Sequence, residues 1–185
     1  MVTRHSPPAT RRASMPNAGM SMSPAARARM RVTEKAVYRY YNDMGKNKGN
    51  CTWGTGILAH VGVCSAEELE RKVSAQSADM VFAQKVAEAE RIVRREIHVT
   101  LSQAQFDALC SLTFNTGPTR AEDTFRFINN GEFTKAAANM SKLIKVSIVK
   151  DGKKKYVIAP GLIKRRVEES APFRTNHGSQ SSPTE

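Results

Sequence analysis

The amino-acid sequence predicts an α+β domain, with a small β subdomain near the N-terminus and a larger helical lobe after it. Residues 37–60 are rich in Tyr, Asn, Gly and Thr, which is typical of short strands joined by turns. From residue 65 onward, apolar residues recur at helical spacing and are interrupted by Gly and Pro. With 185 residues, 40% of them hydrophobic and 25% charged, the chain fits one domain and is neither wholly disordered nor fibrous.

The net charge of the chain is +12, from 29 Lys and Arg against 17 Asp and Glu. Such a charge attracts nucleic acids, anionic membranes and bacterial cell walls, and does not choose between them. No apolar run approaches the roughly 18 residues of a membrane-spanning helix, and residues 1–22 lack the apolar stretch of a signal peptide. Residues 1–22 are therefore predicted to be a disordered basic tail, residues 23–173 the folded domain, and residues 174–185 a polar C-terminal tail.

The first predicted helix begins at Ser23 and Pro24, because a hydroxyl at the N-cap and a proline in the first turn both suit a helix start. The helix is expected to fade near Glu34, where the strands follow. After the strands, Ser65 and Glu68 have the spacing of a capping box and predict the start of the helical lobe.

A long helix is then predicted from an incomplete apolar stripe. The stripe consists of Met80, Val86, Ile92, Val93 and Ile97. Thr100 or Ser102 caps the next helix, which ends at the Asn-Thr-Gly-Pro breaker of residues 115–118. The apolar face of that helix consists of Phe106, Leu109, Cys110 and Thr113. The remaining expected elements are helices at residues 125–130, 134–140 and 163–169, and a hairpin of residues 146–149 and 156–158.

Two carboxylates, Glu34 and Asp43, lie nine residues apart in different local settings. Acid and base cleavage of an acetal needs such a pair, with one carboxyl protonated and the other ionised. The negative end of the helix dipole disfavours a charged carboxylate at the end of the first helix, whereas a polar sheet edge allows one. A nearby hydroxyl, such as that of Thr52, could orient water. Taken alone, the two carboxylates are better explained as solvated surface charges.

The order of these residues resembles the phage-type lysozymes of glycoside hydrolase family 24. That family has a Glu at the end of the first helix, then eight residues, then Asp or Cys, and then a Thr that opens a T-x-G-x-G turn. Glu34, Asp43 and the Thr-Trp-Gly-Thr-Gly of residues 52–56 match this order. Phe-Asn-Thr-Gly at 114–117 and Pro-Gly-Leu-Ile-Lys-Arg-Arg-Val-Glu-Glu at 160–169 are similar to two further motifs of the family.

The resemblance implies a lysozyme-like fold with the active-site cleft between the two lobes. It implies a muramidase that cleaves the β-1,4 bond between N-acetylmuramic acid and N-acetylglucosamine in peptidoglycan. By the same resemblance, Glu34 is the general acid and Asp43 is the base or stabilises charge at the anomeric carbon. Thr52 positions the attacking water. The family inverts configuration, which implies carboxyls about 6.5–9.5 Å apart. Three further residues fall where the family contacts its glycan: Leu58, Phe114 and Thr124.

The sequence departs from the family around the catalytic turn. Asp43 and Thr52 are nine residues apart, whereas six is usual, so a longer hairpin tip is expected. Ile57 stands where the family often has His, and the nearby His60 is expected to have a structural or surface role. The histidines show no ligand spacing, so neither a metal nor another cofactor is expected. The lysines of the hairpin at 146–158 either contact the anionic wall or form a solvated turn.

The three cysteines are an odd number. Cys110 lies on the apolar face of its helix and is predicted to be a buried thiol. Cys51 and Cys64 flank the later strands. They are either two free thiols or a disulfide, and the disulfide would form only in an oxidising compartment such as the periplasm.

The predicted hydrolase is compatible with two modes of delivery. A phage endolysin stays in the host cytoplasm until a holin perforates the membrane, and then acts in the periplasm on the cell wall. An antibacterial effector with the same chemistry needs secretion machinery and an immunity protein. Either is expected to act as a monomer, without a nucleic-acid partner or stable membrane insertion. A basic protein that binds nucleic acid or cell wall without catalysis is the alternative of a different class.

Overall fold

The Tyr- and Gly-rich segment forms a three-stranded antiparallel sheet in the order β1-β2-β3. The computed structural model describes residues 15–34, 37–54, 56–150 and 153–174. The strands are β1 (Val37–Asn42), β2 (Cys51–Gly54) and β3 (Ile57–His60). Gly54 and Gly56 have φ of 60° and 79°, which a glycine adopts without steric cost, and they turn the chain from β2 into β3.

The helical lobe is built from seven helices and a hairpin of the described chain. The helices are α1 (Pro24–Glu34), α2 (Ala66–Glu70), α3 (Ala75–Glu96), α4 (Gln103–Thr116), α5 (Pro118–Asn129), α6 (Phe133–Lys142) and α7 (Pro160–Ser170). The hairpin is β4 (Lys145–Lys150) and β5 (Lys153–Ile158), and a 3₁₀ turn (Ala171–Phe173) follows α7. The predicted α+β class is confirmed. Among the described helices, none has the length and apolarity needed to cross a bilayer.

Helix α4 is the centre of the lobe and packs against α3, α5 and α7. Ser102 begins it with a complete capping box, in which Gln105 is the reciprocal partner. The predicted apolar face of α4 is buried, and Phe106 and Leu109 are fully inaccessible to solvent. Gly117 ends the helix with φ of 75°, and Pro118 starts α5 directly, so α5 begins seven residues before the predicted start at 125.

The predicted stripe on α3 is partly wrong. Met80 is 56% exposed, while the buried face runs through residues spaced four, four, three and four apart. These residues are Ala78, Phe82, Val86, Ala89 and Val93. Two residues of this face are alanines. Because their side chains are small, they contribute little to the apolar periodicity from which the stripe was predicted.

The expected disordered tail over residues 1–22 does not extend to residue 22. Asn17 is fully buried, and its Nδ2 donates a hydrogen bond to the carbonyl of Val99 at 2.9 Å while its Oδ1 accepts from the Leu101 amide at 3.1 Å. The amide of Met22 donates to Oε1 of the buried Glu90 at 2.8 Å. Contacts with residues 68–84 positions later in the sequence hold this segment, and no local pattern reveals them. Residues 1–14 and 175–185 lie outside the described chain.

Candidate active site

Glu34 is the last residue of α1, and its side chain is 15% exposed. Its Oε1 accepts a hydrogen bond from Nη1 of Arg165 on α7, which makes a charge-assisted pair between two helices of the helical lobe. Sequence reasoning named Glu34 but missed this partner. The partner lies in the Arg-Arg-x-x-Glu segment, whose spacing places Arg165, Arg166 and Glu169 on one face of a helix.

These three residues form a buried ionic cluster under the site. Nε of Arg165 donates to Oε1 of Glu169 at 3.0 Å, and Ser111 of α4 donates to the same oxygen at 2.6 Å. Arg166 is 1% exposed, bonds Glu169 and Asn115, and donates through Nε to the Leu143 carbonyl at 2.9 Å. The cluster therefore joins two of the motifs noted in the sequence, the Phe-Asn-Thr-Gly at 114–117 and the segment at 160–169.

The cluster keeps Arg165 charged. Burial alone would lower the pKa of its guanidinium, but the neighbouring carboxylates of Glu34 and Glu169 outweigh burial and raise it. A fixed cation of this kind holds the Glu34 carboxyl in one position at the end of α1.

Asp43 lies directly after β1, in the turn that returns the chain to β2. The Asn50 amide donates to its Oδ1 at 2.8 Å, and the Asp43 amide donates to the Asn50 carbonyl at 3.1 Å. Gly49, at φ of 83°, is required here because a Cβ at that position would lie 2.0 Å from Oδ1 of Asp43. The expected longer hairpin tip is thus the turn of residues 43–50, which absorbs the extra residues and ends at Asn50.

Thr52 faces Tyr41 and Leu58 across the sheet. Tyr41 is opposite it on β1 and Leu58 is opposite it on β3, and directly opposed residues share one face of a sheet. Thr52 is 4% exposed, and its hydroxyl donates to the Asn50 carbonyl at 3.3 Å. The main chain of Asn50 therefore contacts both Asp43 and Thr52. Sequence reasoning missed this role, because a backbone contact does not depend on the type of side chain.

The pKa of Tyr41 responds to both predicted catalytic carboxylates. Burial is the largest cause that raises the pKa of its phenol, and the charges of Asp43 and then Glu34 raise it further. A hydrogen bond from the Gly56 backbone lowers it in part. Both carboxylates therefore act on one half-buried hydroxyl. Tyr41 lies opposite Thr52 in the sheet and Asp43 directly follows the same strand, whereas Glu34 ends α1.

Of the three predicted glycan contacts, two keep accessible surface. Leu58 is 54% exposed on the face of the sheet that carries Thr52. Phe114 is half-buried. It packs on Phe82 with ring centroids 5.6 Å apart, and Nζ of Lys85 lies 6.0 Å from the Phe114 centroid. Burial lowers the pKa of Lys85, and the charges of Glu34 and Glu88 oppose that shift.

The third predicted contact, Thr124, has no exposed surface in this structure. Thr124 is fully buried on the inner face of α5, and its hydroxyl donates to Oδ1 of Asn139 on α6 at 2.7 Å. Helix α5 begins at Pro118 and turns Thr124 inward beside Phe125. A role for Thr124 in binding the glycan stays a prediction.

His60 is exposed at the end of β3, and its Nε2 lies 2.9 Å from Oε1 of Glu68. A hydrogen bond with the Val61 carbonyl and the Glu68 carboxylate raises the pKa of the imidazole. This placement fits the expected surface role. Glu68 also brings a carboxylate oxygen within 4.8 Å of the sulfur atoms of Cys51 and Cys64, but those sulfurs are joined to each other and are not thiolate ligands.

Cys51 and Cys64 form a disulfide that closes the β2–β3 hairpin, with Cys51 directly before Thr52. The sequence is compatible with either two free thiols or a disulfide, and the structure has the disulfide. Cys110 is the buried free thiol, as predicted. Burial raises the pKa of the Cys110 thiol, so it stays protonated and is a poor partner for exchange with the disulfide.

Removal of this bridge is expected to lower the free energy of unfolding by about 3 kcal/mol, from the loss of one loop constraint over its sequence separation of 13. Urea unfolding of the Cys51→Ala/Cys64→Ala variant, with and without a thiol reductant, measures this. The reductant should destabilise the parent by a similar amount and leave the variant unchanged. An equal response of both proteins to the reductant would contradict the prediction.

Comparisons with known proteins place the chain in a family. The family model for phage lysozymes matches residues 32–169 of the chain. An endolysin from Acyrthosiphon pisum secondary endosymbiont phage 1 is 32% identical over 79% of this chain and 99% of its own length. The endolysin from Escherichia coli O157:H7 phage FAHEc1 aligns in structure with a TM-score of 0.65 and 26% identity, over 84% of this chain and 94% of that one.

A cellular relative is also similar. The muramidase domain of SpmX from Asticaccaulis excentricus aligns with a TM-score of 0.62 and 26% identity, over 84% of this chain and 98% of that chain. The family match covers both carboxylates, Thr52 and the buried ionic cluster. The chain belongs to the phage lysozyme family.

Proposed function

We propose that Glu34, Asp43 and Thr52 carry out the hydrolysis that this lysozyme performs on peptidoglycan, at the β-1,4 bond after N-acetylmuramic acid. Membership of the family makes the chain a glycoside hydrolase, a muramidase that degrades the bacterial cell wall. The observation that supports the assignment of residues is that Tyr41, which lies opposite Thr52 in the sheet, has its pKa raised by the charges of both Asp43 and Glu34.

Glu34 is the proposed general acid. Arg165 binds its Oε1, so we assign the transferred proton to Oε2. The proton passes to the glycosidic oxygen as the bond to the anomeric carbon breaks, and the departing sugar leaves with a 4-hydroxyl group. Arg165 fixes the direction of the transfer, because its own position is set by Glu169 and Ser111.

Asp43 and Thr52 are the proposed site of water activation. The Thr52 hydroxyl donates its proton to the Asn50 carbonyl, which leaves lone pairs of Oγ1 to accept a hydrogen bond from water. Asp43 accepts the second proton of that water as its oxygen attacks the anomeric carbon from the face opposite the leaving group. The product is a reducing N-acetylmuramic acid with inverted configuration.

We further propose that the protein is an endolysin that waits in the cytoplasm and acts as a monomer in the periplasm after a holin opens the membrane. The disulfide supports a final site of action that is oxidising. A secreted antibacterial effector with the same chemistry would need the same residues, and the two modes differ in delivery alone.

Product analysis tests the proposed chemistry. Gram-negative sacculi digested with the purified protein should release muropeptides that end in reducing N-acetylmuramic acid, identified by mass spectrometry. In ¹⁸O-labelled water, one label should enter at that reducing end, because the attacking oxygen comes from solvent. Anhydro-muropeptides without label would instead indicate intramolecular attack and would remove the water-activating role of Asp43 and Thr52.

A further inference from the structure

The hairpin of β4 and β5 stands apart from the core of the helical lobe. Its strands pair with each other in an unbroken antiparallel register from Lys145↔Ile158 to Lys150↔Lys153. The hairpin is attached at its base, where Arg120 donates to the Lys145 carbonyl at 2.7 Å and the Ala159 amide donates to the Ile144 carbonyl at 2.9 Å. Of the hairpin side chains that the structure describes, all are exposed except the half-buried Val146.

The hairpin is strongly cationic. Residues 145–158 contain five lysines and one acid, Asp151. Lys153 and Lys155 are both exposed and, two residues apart on β5, lie on the same face of the hairpin. Like charges so close together repel one another. None of the ion pairs found among the described residues includes a lysine of this hairpin, so no such pair offsets the repulsion.

The same region exposes large apolar side chains. Val157 and Ile158 of β5 are 36% and 54% exposed. On α7, which follows after one residue, Ile163 and Val167 are 47% and 51% exposed and, four apart, lie on one face of the helix. Contact with water does not stabilise apolar side chains. Where exposed apolar side chains recur beside lysines on adjacent elements, they indicate a binding surface.

We propose that the β4–β5 hairpin and the exposed face of α7 form a docking surface for an anionic phospholipid bilayer, on which the enzyme lies without crossing it. A wall polymer or a nucleic acid would be attracted by the lysines alone. An anionic lipid surface uses both features, since its phosphates attract the lysines and its interface accepts the apolar side chains. Each lysine near such a surface strengthens binding by about fivefold, so Lys153 and Lys155 together contribute roughly twentyfold or more.

Vesicle partitioning of the full-length chain tests this surface. The probe is phosphatidylcholine vesicles with or without phosphatidylglycerol, at an ionic strength near 0.15 M. The parent should bind the anionic vesicles and leave the neutral ones unbound. Lys153→Glu/Lys155→Glu should weaken binding at least about twentyfold. Val157→Ser/Ile163→Ser should weaken it severalfold at unchanged net charge, because Val157 lies on the same face of β5 as the two lysines.

Lys46→Glu/Lys48→Glu is the matched control, because both lysines are exposed on the β subdomain and the change in net charge is the same. Screening beyond about 8 Å limits the effect of the control substitutions on vesicle binding to a few-fold.

Equal losses in the control and the hairpin variant would overturn the proposal in favour of net charge alone. An unchanged Val157→Ser/Ile163→Ser variant would overturn the apolar contact. Hairpin variants that lose affinity for isolated sacculi while they keep vesicle binding would make the hairpin a wall contact. Urea transitions like the parent's establish that the variants are folded.

Discussion

Replacement of Glu34 by glutamine is expected to lower the turnover of peptidoglycan by about 10²–10⁴-fold, the usual contribution of a general acid. Glutamine keeps the size of the side chain and can still accept a hydrogen bond from Arg165 through its amide oxygen. It has no carboxyl proton to give to the glycosidic oxygen. The loss should therefore appear in kcat, with little change in KM, because the glycan still binds.

The measurement is the release of soluble muropeptides under saturating substrate. Glu67→Gln is the matched control, since Glu67 is exposed on α2 and the chemical change is identical. It should retain the parent rate. A Glu34→Gln protein that clears cell-wall suspensions as fast as the parent would show that another group supplies the proton. A fall in activity with a rise in KM alone would give Glu34 a binding role.

The parts of the fold that the sequence predicted well depend on local chemistry. Capping boxes begin α2 and α4 at Ser65 and Ser102 because each is complete within four residues. The breaker at Gly117 ends α4 because few other residues adopt its backbone conformation. Signals of this kind need no knowledge of the rest of the chain.

The parts that the sequence missed depend on contacts between distant residues. Asn17 is ordered by backbone groups near residue 99, and the single polar side chain that makes these bonds has no periodicity to detect. Thr124 was placed by alignment of a motif, and burial against Asn139 is decided by how α5 packs on α6. In both cases the deciding partner is a polar group on another element.

The candidate site shows the same division. The two carboxylates and Thr52 follow from a resemblance carried by short motifs, whereas Arg165 is tied to Glu34 across 131 residues of sequence. The motif at 160–169 therefore has a physical meaning that its order alone did not reveal. It supplies Arg165, the cation that binds the proposed catalytic carboxyl of Glu34, and Glu169 balances Arg165 and Arg166 inside the lobe.

Replacement of Glu169 by alanine is accordingly expected to be among the most destabilising single changes in the protein. Glu169 is 4% exposed and pairs with both Arg165 and Arg166, whose side chains are 9% and 1% exposed. Loss of the carboxylate leaves Arg166 buried without a charged partner, which costs about 3–5 kcal/mol of unfolding free energy. For a domain of this size the melting temperature should fall by roughly 6–20 °C.

Glu168→Ala is the control, because the neighbouring residue is exposed on the same helix and the substitution is the same. Its melting temperature should stay near that of the parent. A Glu169→Leu/Arg166→Met double variant should recover part of the loss, since an apolar pair leaves no charge buried without a partner. If Glu169→Ala has the same melting temperature as Glu168→Ala, the ionic cluster does not hold α7 against α4. If the double variant is no more stable than Glu169→Ala, the loss comes from packing, because relief of the uncompensated charge would then have restored nothing.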